Sequence, residues 1–184
     1  MFDKLLVTIA KNLEKAEIPY MIIGGQAVLQ YGEARLTNDI DVTLGVDVDK
    51  LSIVLKLVRR VGLEILRNDV RKFVKQTYVL PVREMESGIR IDFIFSNSSY
   101  EKQAIQRSKG IRINKQLVQF ASVEDVIIQK IIAGRPRDLE DISKLIVKQK
   151  KFNTRYIRKW LKTFEVTMNI PYSSTFNKLF AKSK

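Results

Sequence analysis

The N-terminal half of the chain alternates between helical and strand patterns of apolar residues. From Phe2 to Glu17 they recur every three or four positions, which predicts an amphipathic helix ending before Pro19. The apolar run Tyr20–Ile23 predicts a buried strand, and Gln26–Tyr31 predicts a short helix. The further elements expected are a strand at Ile40–Leu44, a helix at Lys50–Val61 capped by Asp49, a strand at Leu63–Leu66, and a hairpin of Thr77–Val82 with Ile89–Phe95.

The C-terminal half has mostly helical patterns. Helices are predicted for Tyr100–Lys109, for Ser122 to Gly134 with Asp125 at the capping-box position, and for Pro136 to about Lys148. Residues 111–117 are expected to be an edge strand or an extended segment. Helical spacing returns in Tyr156, Ile157, Trp160, Leu161 and Phe164. This order predicts an α+β fold: a mixed β-sheet core backed by helices at residues 1–148, with a basic helical C-terminal extension packed on it at residues 149–184.

The composition narrows the possible chemistry. The chain has 184 residues, 45% hydrophobic and 29% charged, which is typical of a globular domain with a small appendage. It contains no cysteine and no histidine, so Ser-His-Asp and Cys-His catalysis and thiolate or imidazole metal sites are excluded. A metal ion must therefore be held by oxygen, which favours Mg²⁺ or Mn²⁺. Since no run approaches the ~18 apolar residues of a membrane span, and no signal-peptide pattern is present, we expect a cytoplasmic protein without membrane contact.

The net charge of +13 favours a polyanionic partner such as RNA, although a solvated lysine-rich surface would give the same value. From Lys148 onward there are ten basic residues and one acid, Glu165. The helix predicted in this tail has two interpretations. It could face RNA with the side chains Arg155, Tyr156, Arg158, Lys159, Trp160 and Lys162, or its aromatic residues could pack while its basic residues are only solvated.

Asp39-Ile40-Asp41 is the first candidate for chemistry. Residues two apart in a strand point to the same face, about 6–7 Å apart along the chain. The two carboxylates repel each other unless positive charge or water offsets the repulsion, and a pair of divalent ions does so well. The alternative is a strand end that simply faces solvent.

Two further features could belong to the same site. Gly24-Gly25 lies between a predicted strand and a predicted helix, where backbone N–H groups can approach a phosphate, although a tight turn would need the same glycines. Asp92 falls on the polar face of the strand 89–95, whose other face is apolar. It could be a third metal-binding carboxylate that takes a proton from an attacking hydroxyl, or it could form a structural ion pair with Arg90.

Together, Gly24-Gly25, the segment Arg35–Val42 and the segment Arg90–Phe95 resemble the signature of the polymerase-beta-type nucleotidyltransferase superfamily. Within it, the sequence is similar to the branch that contains the AbiEii/AbiGii abortive-infection toxins and related minimal nucleotidyltransferases. That branch has a further motif, a Lys, an Arg and a helix with two Asp, which here is Lys130–Asp141. The resemblance covers about residues 18 to 148. One departure is that many members have a serine after the first glycine, where this chain has Gly25 and then Gln26.

The resemblance implies a magnesium-dependent transfer of a nucleoside monophosphate from an NTP to an acceptor hydroxyl. The implied metal and catalytic residues are Asp39, Asp41 and Asp92. The implied nucleotide-binding residues are Gly24, Gly25, Gln26, Arg35, Thr37, Lys130 and Asp138. An alternative for the fourth motif is an ion-pair cluster that joins two helices.

The charge favours RNA, including tRNA ends, as the acceptor. The resemblance alone suggests a toxin with an antitoxin protein as its partner. Two other functions stay open on the same fold: a non-catalytic module that binds nucleic acid or protein, and a small-molecule adenylyltransferase.

Overall fold

The structure is a computed structural model that describes residues 1–32, 37–96, 98–149 and 151–183. The chain divides into two compact units. The first comprises Met1–Gln26 and Thr37–Ala121, and the second comprises Ala27–Leu36 and Ser122–Lys184. Arg35, one of the expected nucleotide-binding residues, lies outside the described residues.

The first unit is built on a mixed sheet, and the predicted α+β fold is confirmed. Seven strands of the described chain form it in the order β3-β4-β5-β2-β1-β7-β6. The central strand β2 pairs antiparallel with β1 and parallel with β5. The strands are β1 Tyr20–Ile23, β2 Asp39–Leu44, β3 Glu64–Ile65, β4 Val79–Arg83, β5 Arg90–Phe95, β6 Lys109–Ile113 and β7 Gln116–Phe120.

Alternating side chains explain why β2 and β5 lie at the centre of the sheet. Ile40, Val42 and Leu44 of β2 are fully buried, as are Ile91 and Phe93 of β5, so one face of both strands belongs to the core. The helices of this unit include α1 Phe2–Lys15, which contacts β7 and α3. The others are α2 Gly24–Tyr31, which continues into the second unit, a 3₁₀ turn at Val48–Lys50, α3 Leu51–Val61, α4 Val70–Thr77 and α5 Ser99–Gln106.

The second unit is helical, with α6 Val123–Ala133, α7 Pro136–Lys148, α8 Thr154–Met168 and α9 Tyr172–Lys182. The Ser122 hydroxyl accepts a hydrogen bond from the Asp125 backbone N–H at 3.2 Å, which is the N-cap that the sequence predicts. Tyr156 and Trp160 of α8 are each 8% exposed, and the Tyr156 hydroxyl donates to the Asp125 carboxylate at 2.9 Å. The aromatic residues of α8 therefore pack. No helix among the described residues combines the length and apolarity needed to cross a membrane.

Two local predictions are wrong. Asp49 does not cap α3, whose N-cap residue is Lys50 without a side-chain cap. Asp49 lies inside a preceding 3₁₀ turn, which Asp47 caps because its carboxylate accepts from the Val48 N–H. Residues 111–117 are not one segment but a hairpin of β6 and β7. Asn114 and Lys115 both have positive φ, as a two-residue turn requires, and this turn lacks the glycine that usually signals it.

Candidate active site

The strand register brings the predicted carboxylates to one face of the sheet. Asp41 on β2 is directly paired with Asp92 on β5, and Asp39 is paired with Arg90. Neighbouring strands lie about 4.8 Å apart, so the backbones of Asp41 and Asp92 are as close as two chains can be. Asp39 is exposed and Asp41 and Asp92 are half-buried, whereas Ile40 between the two aspartates of β2 is buried. The three carboxylates thus occupy the face of β2 and β5 opposite the apolar core.

Gly24 is where the strand β1 turns into α2, and its surroundings explain why no other residue fits. Its φ of +61° is in the left-handed region. A Cβ atom at this position would lie 2.0 Å from Oδ2 of Asp41, far inside contact distance. Ile23, the preceding residue, is the register partner of Asp41. The Asp41 carboxylate therefore lies directly against Gly24 of the glycine pair. This contact is expected if the glycine pair and the carboxylates belong to one site.

Neighbouring side chains hold the other two carboxylates. The Thr37 hydroxyl donates to Oδ1 of Asp39 at 3.1 Å, and the Arg90 guanidinium contacts Oδ1 of Asp92 at 3.0 Å. Among the residues that the structure describes, no group of three or more acidic side chains is spaced to hold a metal ion. In donor chemistry and backbone placement the three aspartates fit a hard divalent cation. The side chain of Asp92, however, is oriented toward Arg90 and forms the structural ion pair that was the alternative to a metal-binding role.

Gln26, the residue that follows the glycine pair, is 4% exposed. Its side-chain nitrogen has no hydrogen-bond partner among the described residues. A buried amide donor without an acceptor costs about 1–3 kcal/mol, and such groups are concentrated at functional sites. The helix start therefore carries a polar group that packing alone does not account for.

The fourth motif forms a buried ion-pair cluster within the second unit. Nζ of Lys130 lies 2.8 Å from Oδ1 of Asp138 and 2.7 Å from Oδ2 of Asp141, and these three side chains are 3–7% exposed. Arg135, which is 75% exposed, contacts Oδ2 of Asp138 at 2.6 Å. Burial opposes ionisation of Asp138, but hydrogen bonds from Arg135 and Lys130 outweigh it and lower the pKa of its carboxyl. This geometry is what the structural alternative predicts, a link between α6 and α7.

Sequence reasoning missed one ion pair on the carboxylate face. Arg83 of β4 is the register partner of Arg90, and both its Nε and its Nη2 donate to Glu64 of β3, at 3.0 and 2.9 Å. No local pattern signals this pair, because Glu64 and Arg83 are 19 residues apart and are brought together by the pairing of β3 with β4. The register of β4 with β5 then places Arg83 beside Arg90. The face therefore carries Arg83 and Arg90 beside its acids.

Comparison with known proteins agrees with this architecture. Residues 1–182 match the family described as nucleotidyltransferase of unknown function, DUF6036. No protein with a curated description matches the sequence significantly.

Three solved structures are similar in fold. The solution structure of the antibiotic-resistance factor ANT(2'')-Ia has a TM-score of 0.62 at 16% identity, over 91% of this chain and 92% of that one. An antigenic nucleotidyltransferase-like protein from Paracoccidioides brasiliensis has 0.56 at 18%, over 95% and 91%. The lincosamide antibiotic adenylyltransferase LnuA has 0.52 at 18%, over 74% and 91%.

The family match spans nearly the whole chain, and the similar solved structures agree with the mixed sheet. The resemblance to nucleotidyltransferases that the sequence motifs suggest is thereby confirmed. The chain belongs to the DUF6036 family of nucleotidyltransferases.

Proposed function

We propose that this protein transfers a nucleoside monophosphate from an NTP to an acceptor hydroxyl, at the carboxylate face of β2 and β5. The observation that carries the proposal is the direct pairing of Asp41 with Asp92 on parallel strands, with Asp39 two residues earlier on the same face. Like charges at this separation repel each other unless water or positive charge offsets the repulsion. Arg90 offsets the charge of Asp92, and a bound divalent cation would offset the charge of the pair. A structural role would not require this concentration of acids on an exposed strand end.

The chain's own residues supply binding, orientation and proton transfer. Divalent cations, Mg²⁺ or Mn²⁺, would offset the charge of the triphosphate when bound between the carboxylates. Gly24 and Gly25 would bind a phosphate at the start of α2, where backbone N–H groups and the helix dipole favour negative charge. The missing Cβ of Gly24 lets the Asp41 carboxylate lie at this helix start. The buried amide of Gln26 offers a donor at the same helix start. Thr37 orients the Asp39 carboxylate through its hydroxyl.

The proposed reaction is an in-line displacement at the α-phosphorus. The acceptor oxygen forms a bond to this phosphorus as the bond to the β-phosphate oxygen breaks, and pyrophosphate leaves. Asp92 takes the proton of the acceptor hydroxyl. Because Arg90 holds Asp92 at 3.0 Å, the guanidinium has to release the carboxylate before it can act as a base or a metal ligand.

RNA, including tRNA ends, is the acceptor that the net charge of +13 favours. Two similar solved structures are described as an antibiotic-resistance factor and a lincosamide antibiotic adenylyltransferase, so a small-molecule acceptor is the rival on this fold. An acidic cleft would be expected for cationic drugs, and the net charge of +13 argues against that class of acceptor. Action as a toxin with an antitoxin partner, and a cytoplasmic location, stay predictions from the sequence.

The test is transfer of radiolabel from each α-³²P-NTP to bulk tRNA, with Mg²⁺ or Mn²⁺ and with EDTA as the metal-free arm. We expect metal-dependent labelling by the wild type and none by Asp39→Asn/Asp41→Asn. Asp49→Asn is the matched control, because Asp49 is an exposed acid of the same unit whose ion pair, among the described residues, is with exposed Lys50 at 3.3 Å. Labelling of tobramycin or lincomycin but not of RNA would replace the acceptor class. Equal labelling by the double variant and the control would refute the proposed site.

A further inference from the structure

The second unit carries a groove in which aromatic rings and lysines are adjacent. A cavity of about 550 Å³ is lined by Val147, Lys151, Phe152 and Phe180 among others. A second, of about 580 Å³, adjoins it through Val147 and Ser183 and is lined by Lys144, Lys148 and Lys182. We call these two cavities together the α7–α9 groove. Its size is that of sites that hold nucleotide-sized ligands.

The charge of the α7–α9 groove has one sign. Lys144, Lys148, Lys151 and Lys182 are exposed, and neither cavity has an acid among its described lining residues. After Lys144 the sequence contains a single acid, Glu165. That carboxylate accepts from the Ser173 backbone N–H at 2.7 Å and lies 3.4 Å from Lys162, so its charge is used at the α8–α9 connection. The described lining of the groove therefore favours anions over cations.

Contacts between aromatic rings fix the orientation of the apolar side chains in the α7–α9 groove. Phe152 contacts Phe180 edge to face, with ring centroids 6.1 Å apart, and Phe180 stacks on buried Phe176 at 5.7 Å. The Arg158 guanidinium lies 5.8 Å from the Phe180 ring. Val147, 65% exposed, lies at the junction of the two cavities. Partly exposed rings with fixed orientation are what a nucleobase needs for stacking.

We propose that the α7–α9 groove binds single-stranded nucleic acid, with bases against Phe152 and Phe180 and phosphates on the surrounding lysines. Lysines alone would bind any polyanion, but ring stacking requires an unpaired base. The helix α8, in contrast, cannot offer stacking, because Tyr156 and Trp160 are each 8% exposed. The inference rests on the proposed function only in identifying the bound strand as the acceptor RNA.

The test is a binding assay on the full chain, with EDTA and no NTP, so that binding is separated from catalysis. The probe is 5′-fluorescein oligouridine of about 12 nucleotides, a length within known single-strand sites, followed by anisotropy between about 50 and 300 mM salt. Lys144→Ala/Lys151→Ala/Lys182→Ala should reduce the slope of log affinity against log salt by about 2, since each phosphate contact on a single strand contributes about 0.7. Lys11→Ala/Lys56→Ala/Lys102→Ala changes the net charge equally at exposed sites of the first unit and should leave the slope unchanged.

Phe152→Leu tests stacking separately. It keeps apolar volume and charge, so we expect affinity to fall about tenfold with an unchanged salt slope. Thermal unfolding of the variant checks that the fold is intact. A second titration with oligothymidine compares DNA with RNA. Equal binding of the two indicates that the groove binds single strands in general, and weaker binding of oligothymidine indicates that the 2′-hydroxyl is recognised.

Three results would overturn the proposal: equal loss of slope in both triple variants, equally tight binding of an RNA duplex of the same length, or no effect of Phe152→Leu in a folded protein. If the groove fails while tRNA is still labelled, the transferase proposal stands and its acceptor binds elsewhere. If the groove binds RNA but no label is transferred, the groove proposal stands and the transferase proposal fails.

Discussion

Two acid–base clusters in this molecule have similar composition and opposite settings. On the carboxylate face Asp39, Asp41 and Asp92 stand at an exposed or half-buried strand end, with Arg90 as the neighbouring cation. In the second unit Asp138 and Asp141 are buried around Lys130. The buried acids are neutralised within the protein, whereas the exposed face gathers acids where a bound cation can reach them. Burial and partners, more than the residue types, distinguish a structural cluster from a candidate site.

The largest effect expected is on catalysis, from Asp41→Asn. A metal-bound transition state is stabilised by several kcal/mol, so transfer of label should fall by about a thousandfold. Stability should stay the same or rise, because one of two repelling charges is removed. The measurements are NMP transfer and the melting temperature of the same preparation. A parallel fall in NMP transfer and in melting temperature would indicate that the role of Asp41 is structural.

Lys130→Met should lower stability and leave NMP transfer unchanged, the reverse of Asp41→Asn. Removing one partner of a buried ion pair costs about 3–5 kcal/mol. At about 2–4 °C per kcal/mol for a chain of this size, the melting temperature should drop by roughly 6–20 °C. The variant that still folds at low temperature should transfer label at the wild-type rate per folded molecule. Loss of transfer in that folded fraction, with KM for NTP raised, would support the nucleotide-binding role instead.

Gly24→Ala should affect both properties, because the added Cβ meets Asp41 and the backbone has positive φ. Gly62→Ala is its matched control, with φ of +77° and no atom within 4 Å of the added Cβ. Backbone strain of about 1 kcal/mol should appear in both. Only Gly24→Ala should also lose metal-dependent transfer. Equal behaviour of the two variants would mean that the contact with Asp41 does not matter.

The buried cluster should also make the stability of the fold depend on pH. The pKa of Asp138 is lowered in the folded chain. A carboxyl of this kind stabilises the fold above its unfolded pKa of about 3.9, and the contribution is lost as the pH falls through the folded pKa. Asp138→Asn should therefore flatten the fall in unfolding free energy at acid pH, whereas Asp49→Asn should not. Identical acid profiles for the two variants would exclude Asp138 as a source.

The smallest effect expected is from Arg90→Gln. The pair with Asp92 is partly exposed, at 55% and 18%, so its loss should change stability by less than about 1 kcal/mol. The affinity for Mn²⁺ should rise a few-fold, because the Arg90 guanidinium no longer competes with the metal ion for the Asp92 carboxylate. Arg83→Gln, on the neighbouring strand and paired with Glu64, controls for the loss of a positive charge. A fall in affinity specific to Arg90→Gln would make Arg90 part of the binding site.

Sequence patterns predicted most of this fold where periodicity and capping agree. The strand Tyr20–Ile23, the cap Ser122 and the helix beginning at Pro136 are found as expected. The helix α4 was missed although Val70, Phe73 and Val74 have helical spacing, because it has eight residues and buries only Val74. The β6–β7 hairpin was missed because Asn114 and Lys115 form its turn without glycine.

The candidate site was predictable only in part, for a physical reason. Two acids two apart in a strand must share a face, so Asp39 and Asp41 follow from local geometry. The pairing of Asp41 with Asp92 depends on the register of non-consecutive strands, which no local pattern determines. The contact of Gly24 with Asp41 depends on the same long-range packing.

The most direct test of the central claim is Mn²⁺ binding to the carboxylate face, followed by electron paramagnetic resonance with a non-hydrolysable NTP analogue. The proposed site predicts Mn²⁺ bound to the wild type and to Asp49→Asn, and binding lost in Asp41→Asn/Asp92→Asn while the fold is kept. Equal Mn²⁺ binding by all three proteins would contradict it.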